Sequence, residues 1–288
     1  MANKKDIERR DRGQDGFRAP LVSQDERKEN NFMVYLSTFV AVCGSYAFGT
    51  GVGYSSPTEA GIRRDLNLTM AQYSLFGSIL TFGAMIGAIA SGPMADLFGR
   101  KGALRISSAF CIGGWLAIYF AQGPMPLDIG RLANGFGMGV FSYVVPVFIA
   151  EIAPKQLRGL LTAANQLLIV TGVSVSFVVG TILHWRTMAL AGLIPCGVLL
   201  LGLFIIPESP RWLAKIGKQR EFDAALRKLR GEEIDVSEEA AEIRIGVGLM
   251  ISQQFGGING ICFYASSIFA SSGTYNIYVL NPNLTKFF

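Results

Sequence analysis

The sequence predicts an all-α, polytopic membrane protein, and three observations carry that expectation. Only 16% of the 288 residues are charged while 50% are hydrophobic, against about a quarter charged in a typical soluble domain. The charge is segregated, with most of it in Met1–Asn31 and Pro207–Arg244. Between and beyond these stretches lie seven apolar runs, each about as long as a helix needs to cross the roughly 30 Å hydrocarbon core.

In chain order, Met1–Asn31 holds eight Lys or Arg and seven Asp or Glu with Gly and Pro interspersed, the composition of a disordered tail. The runs Phe32–Gly53, Met70–Ala95, Ala103–Ala121, Met125–Ala150, Leu160–Leu183 and Thr187–Ile206 are read as six spans. Gly83, Gly87 and Gly92 in the second recur every four or five residues, so a neighbouring helix can approach that face closely. The fourth is also glycine-rich, with Gly135, Gly137 and Gly139. Pro207–Arg244 is hydrophilic; within it Lys218–Arg230 places Phe222, Ala225, Leu226 and Leu229 at helical spacing, which predicts a short surface helix. Ile245–Ser272 is a seventh span, and residues 273–288 form a tail of different character containing Asn-Pro-Asn, a turn sequence.

Orientation follows from the bases. With the N-terminus in the cytosol, 21 of the 26 Lys and Arg fall on inner segments and five elsewhere, so the positive-inside rule selects that topology. The linker 207–244 is then cytosolic. The N-terminal stretch has no apolar core of a cleavable signal, so the first span is expected to act as its own insertion signal.

Other classes find no support. The net charge of +5 is not gathered into a basic patch with interleaved aromatics, as a nucleic-acid surface would require. Cys43, Cys111, Cys196 and Cys262 sit inside apolar runs without metal-ligand spacing and read as small apolar fillers. No nucleophile–base pair, metal cluster or phosphate-cradling glycine loop is present, so neither enzyme activity nor a cofactor is expected.

Chemistry concentrates in three turns on the expected cytosolic face. The first is Gly92–Gly102, with Asp96, Arg100 and Lys101. The second is Glu151–Gly159, with Glu151 and Arg158, and the third is Pro207–Leu213, with Glu208 and Arg211. Each sets a carboxylate a few residues from a base, so ion pairs among them would tie helix ends together when that face is closed and break when it opens. Simple anchoring by positive charge explains the bases but not the recurring acids.

These stretches, with Gly130-Arg131-Leu132-Ala133 and Gln253-Gln254-Phe255-Gly256-Gly257-Ile258-Asn259, resemble the sugar porters of the major facilitator superfamily in order and spacing. The whole resembles the plant early-responsive-to-dehydration type of monosaccharide transporter, over roughly residues 32–272. The resemblance implies the major facilitator fold, here a complete N-terminal six-helix half plus about one helix of the C-terminal half. It also implies transport of hexoses such as glucose or fructose by alternating access. Pro93 stands where the family usually has a base, and Phe148 where a tyrosine is common.

A sugar is neutral and covered in hydroxyls, which suits amides that both donate and accept. Gln166 in the fifth span, and Gln253, Gln254 and Asn259 around Gly256-Gly257 in the seventh, match by resemblance the family's hexose-binding positions; interhelical amide bonding is the other use of such residues. Asn165 and Gln72 are read as packing or surface residues. Proton-coupled members usually place an Asp in the first span opposite the arginine corresponding to Arg131. No Asp or Glu occurs in Phe32–Gly53, which leaves Arg131 without that partner and favours facilitated diffusion over symport with a proton. Asp128 and the lone His184 are expected at the outer surface, and Asn67-Leu68-Thr69 is a sequon in the first outer loop, expected to be unused so close to the membrane.

The family normally has twelve spans, so the chain is read as a truncated form, from splicing, a shortened allele or a gene model, that does not transport alone. A regulatory fragment that pairs with full-length carriers is the alternative. A seven-helix receptor fits the span count but requires an external N-terminus, against the bias in bases. For the chain read as a sugar porter, the expected partners are a monosaccharide and the lipid bilayer, with a proton and full-length carrier chains as further candidates, and no nucleic acid. No acidic dileucine signal occurs in the tail, so the vacuolar and plasma membranes both remain open.

Overall fold

The computed structural model describes residues 31–230, 240–245 and 248. Nine helices are formed over residues 31–230: α1 (Phe32–Gly53), α2 (Ser55–Leu66), α3 (Met70–Leu97), α4 (Gly99–Tyr119), α5 (Pro124–Ile152), α6 (Arg158–Gly180), α7 (Trp185–Ile205), α8 (Pro210–Lys215) and α9 (Gln219–Arg230). No strand occurs among the described residues. Six of them (α1 and α3 to α7) are long and apolar enough to cross a membrane; at about 1.5 Å per residue the shortest is roughly 32 Å. Of the seventh run only Ile245 and Gly248 are described.

Two helices were not anticipated. α2 follows α1 with only Tyr54 between them, and Tyr54 keeps right-handed helical angles. Pro57 sits in the first turn of α2, where a proline is tolerated. Asn67 ends α2 in the left-handed conformation, φ 52°. α8 starts at Ser209, whose hydroxyl accepts from the Trp212 N–H, with Pro210 in the first position. The turn between α3 and α4 is also tighter than expected. Phe98 alone separates them, so Asp96 ends one helix while Arg100 and Lys101 begin the next. Gly99 permits this with φ +80°, and a Cβ there would lie 2.7 Å from Glu208 Oε2 and 3.1 Å from the Trp212 ring.

Close packing of α3 on α5 explains the glycine spacing. A Cβ on Gly87 would come within 2.1 Å of Phe136 O, and one on Gly139 within 2.1 Å of Ala84 O, with Gly83 and Gly135 equally crowded. The helix backbones themselves touch along this seam. Gly92 is not part of it and faces open space. α1 and α6 meet in the same way, Gly49 against Ile169 O and Gly172 against Tyr46 O.

The core between the helices is apolar and holds Trp115, Trp185, Phe141 and Phe148 fully buried. Cys111 and Cys196 are buried there and Cys43 is half-buried; Cys262 lies outside the described residues. α9 packs Phe222, Ala225 and Leu226 on Leu213 of α8, while Leu229 reaches the main core.

Candidate functional site

Polar chemistry collects at the two ends of the bundle. At one end, the first turn of α4 aims Arg100 at the last turn of α5. Arg100 Nε and Nη2 donate to the two carboxylate oxygens of Glu151, both at 2.8 Å. Each side chain is only 11% exposed, and this forked geometry is the strongest arrangement available to a guanidinium and a carboxylate. Arg100 also donates to Ala95 O at 3.0 Å and to Asp96 at 3.3 Å, tying back to the end of α3.

Glu208 occupies the N-terminus of α4, where backbone donors have no partner within the helix. Its carboxylate accepts from the Lys101 N–H at 3.1 Å and the Ser209 N–H at 2.8 Å. Burial pushes its pKa above the ordinary glutamate value, and those backbone donors pull the other way. Asp96 pairs with Lys215 of α8 at 2.9 Å, and its carbonyl accepts from the Trp212 indole at 2.9 Å. Arg158 and Arg211, grouped with these residues from the sequence, make no ion pair among the described residues. Lys215 and Trp212 were missed; nothing in their spacing shows that α8 folds back beneath α3.

The opposite end is held differently. Asp65 at the end of α2 accepts from Trp185 Nε1 at 2.8 Å and lies 2.8 Å from His184 Nε2, joining α2 to the start of α7. The Trp185 bond, then that of His184, holds the Asp65 pKa below its ordinary value. His184, expected simply at the surface, is half exposed but takes part in this contact. Tyr54 donates to Trp185 O at 3.0 Å, and Arg186 donates to Tyr119 O and Ala121 O, both at 2.8 Å. Gln72 closes a capping box with Thr69 at the start of α3.

Arg131 is fully buried within α5. It donates to Gly51 O at 2.9 Å and to Ser55 Oγ, and lies over the rings of Phe76 (4.4 Å) and Tyr54 (5.0 Å). No carboxylate pairs with it among the described residues. A carbonyl, a hydroxyl and two aromatic faces surround the charge instead.

Gln166 lies exposed on α6. Its neighbour Asn165 is turned towards α1 and accepts from the Ser45 hydroxyl. Gln253, Gln254 and Asn259 lie outside the described residues.

Residues 29–244 match the family model described as Sugar (and other) transporter. Curated relatives from Arabidopsis thaliana include "Sugar transporter ERD6-like 7", 61% identical over 90% of this chain and 62% of the relative, and "Sugar transporter ERD6", 48% identical over 83% and 54%. Among solved structures, the proton:xylose symporter XylE of the major facilitator superfamily, bound to 6-bromo-6-deoxy-D-glucose, is 26% identical. It covers 87% of this chain and 66% of its own at a TM-score of 0.68. The chain thus spans about 60% of the length of the curated relatives it matches. Apolar helices of spanning length, the matched family model and the shared fold agree: the chain belongs to the sugar transporter family, as a multi-pass membrane protein of the major facilitator fold.

Proposed function

We propose that this chain supplies the first half of a monosaccharide carrier for hexoses such as glucose or fructose, working by alternating access as a facilitated-diffusion system. The observation that carries the reading is the forked Arg100–Glu151 pair, joined through Asp96 to Lys215 and flanked by Glu208 on the α4 N-terminus. A cluster of this kind at one end of the bundle supports a gate, because its bonds span α3, α4, α5 and α8 and must be rearranged if those ends separate. The bias in bases supports a cytosolic location for this end. Gln166 contributes to the sugar site together with Gln253, Gln254 and Asn259. Uniport is favoured because the buried Arg131 has no carboxylate beside it among the described residues to carry a proton.

The 288-residue polypeptide alone is expected to give no saturable hexose uptake in proteoliposomes. Grafting residues 32–230 into the corresponding segment of the Arabidopsis ERD6-like 7 relative tests the reading. A graft that takes up labelled glucose saturably supports it, and a folded graft with no uptake beside an active parent overturns it. Protease protection of the N-terminal tail checks the orientation.

A further inference from the structure

The last turn of α7 ends beside the charged cluster, and its final carbonyls lack partners within the helix. Three cations from α4 and α9 take them. Arg105 Nη2 donates to Leu203 O at 3.2 Å, Lys228 Nζ to Ile205 O at 2.9 Å and Lys101 Nζ to Ile206 O at 2.5 Å. A helix C-terminus carries only about half a negative charge, so three full positive charges exceed what it needs. None of the three forms an ion pair with a carboxylate among the described residues, whereas Arg63, Arg100, Lys155, Lys215 and Lys218 each do; Glu208, bonded to the Lys101 N–H, offsets part of the Lys101 charge and leaves Arg105 and Lys228 in excess. Spare donors remain, because an ammonium has three and a guanidinium five.

The surroundings say what kind of anion fits. Arg105 lies over the Phe204 ring at 4.9 Å. Phe204 and Leu201 are 69% and 70% exposed on the outward side of a helix of spanning length. A cationic cluster that borders an apolar, lipid-facing surface at a helix end is suited to a headgroup with its chains attached. We propose that Lys101, Arg105 and Lys228 bind the phosphate of an anionic phospholipid, whose acyl chain lies along Leu201 and Phe204. The site rests on the membrane assignment alone and stands whether or not the chain carries sugar.

Native mass spectrometry of the purified full chain tests it, with phosphatidylglycerol, phosphatidylcholine and soluble glycerol phosphate as separate additions. Retention of phosphatidylglycerol is expected to exceed that of phosphatidylcholine by about fivefold or more. The double variant Arg105→Gln/Lys228→Gln is expected to lose that preference, while the charge-matched Lys218→Gln/Arg227→Gln retains it. Photoreactive phosphatidylglycerol on the unmodified chain is expected to label peptides containing 101–105, 201–206 or 228, a readout that holds even if the first variant does not fold. Equal retention of the two lipids, equal loss in both double variants, labelling elsewhere, or binding of glycerol phosphate in place of the lipid would each overturn the proposal.

Discussion

Arg100 and Glu151, 51 residues apart in the chain, meet through two parallel hydrogen bonds of 2.8 Å at the shared end of α4 and α5. Both are mostly buried, so losing one partner strands the other with its desolvation cost unmet. Arg100→Ala and Glu151→Ala are each expected to cost about 2–3 kcal/mol, and the double variant less than their sum by a coupling energy of about 1–2 kcal/mol. Unfolding of the purified chain, followed as a double-mutant cycle, measures this. A coupling near zero would remove the pair from any role in holding this end together.

Glu208 gives the same end a dependence on pH. Its folded pKa is raised by burial, so the folded state holds the proton more tightly than the unfolded chain does. The contribution is therefore fully present below the unfolded value of about 4.3 and is lost as pH rises through the higher folded value. Thermal unfolding of wild type and Glu208→Gln from pH 4 to 7 checks this: the stability advantage of wild type over the variant is expected to shrink with rising pH. Asp65 runs in the opposite sense. Its contribution is present above about 3.9 and lost as pH falls through its depressed folded value.

The seam between α3 and α5 tolerates no side chain. Gly139→Val would drive its Cβ into Ala84 O, and overpacking against backbone costs more than the usual 1–3 kcal/mol or so. The variant is expected to aggregate on size-exclusion chromatography. Gly92→Ala faces open space, and is expected to fold normally with a helix-propensity gain of about 0.5–1 kcal/mol.

Gln166 is exposed on α6 and is not among the side chains that hold the helices together. In the graft described above, Gln166→Ala is expected to raise KM for glucose about tenfold while leaving the unfolding temperature unchanged, since the loss of one or two hydrogen bonds to sugar is worth about 1–2 kcal/mol. An unchanged KM would assign Gln166 to the surface and not to the sugar.

The six long helices were legible because hydrocarbon thickness dictates run length, and the spacing of Gly83 and Gly87 announced a close helix contact without saying that α5 makes it, while Gly92, grouped with them, stays outside it. Arg100, Glu151 and Glu208 were legible as acids and bases recurring at turns. What could not be read was pairing at long range. Nothing near Asp65 in sequence points to Trp185, and Lys228 gives no sign that it reaches the end of α7. Arg131 was correctly seen to lack a carboxylate in the first span, but the Tyr54 and Phe76 rings that surround it are set by packing, which periodicity does not encode.

The most direct measurement is labelled glucose uptake by the graft, with and without an inward proton gradient. Saturable uptake at the same rate in both conditions is the expected result. Absence of saturable uptake from a folded graft would contradict the assignment of this chain to a hexose carrier, and uptake only with the gradient would contradict facilitated diffusion.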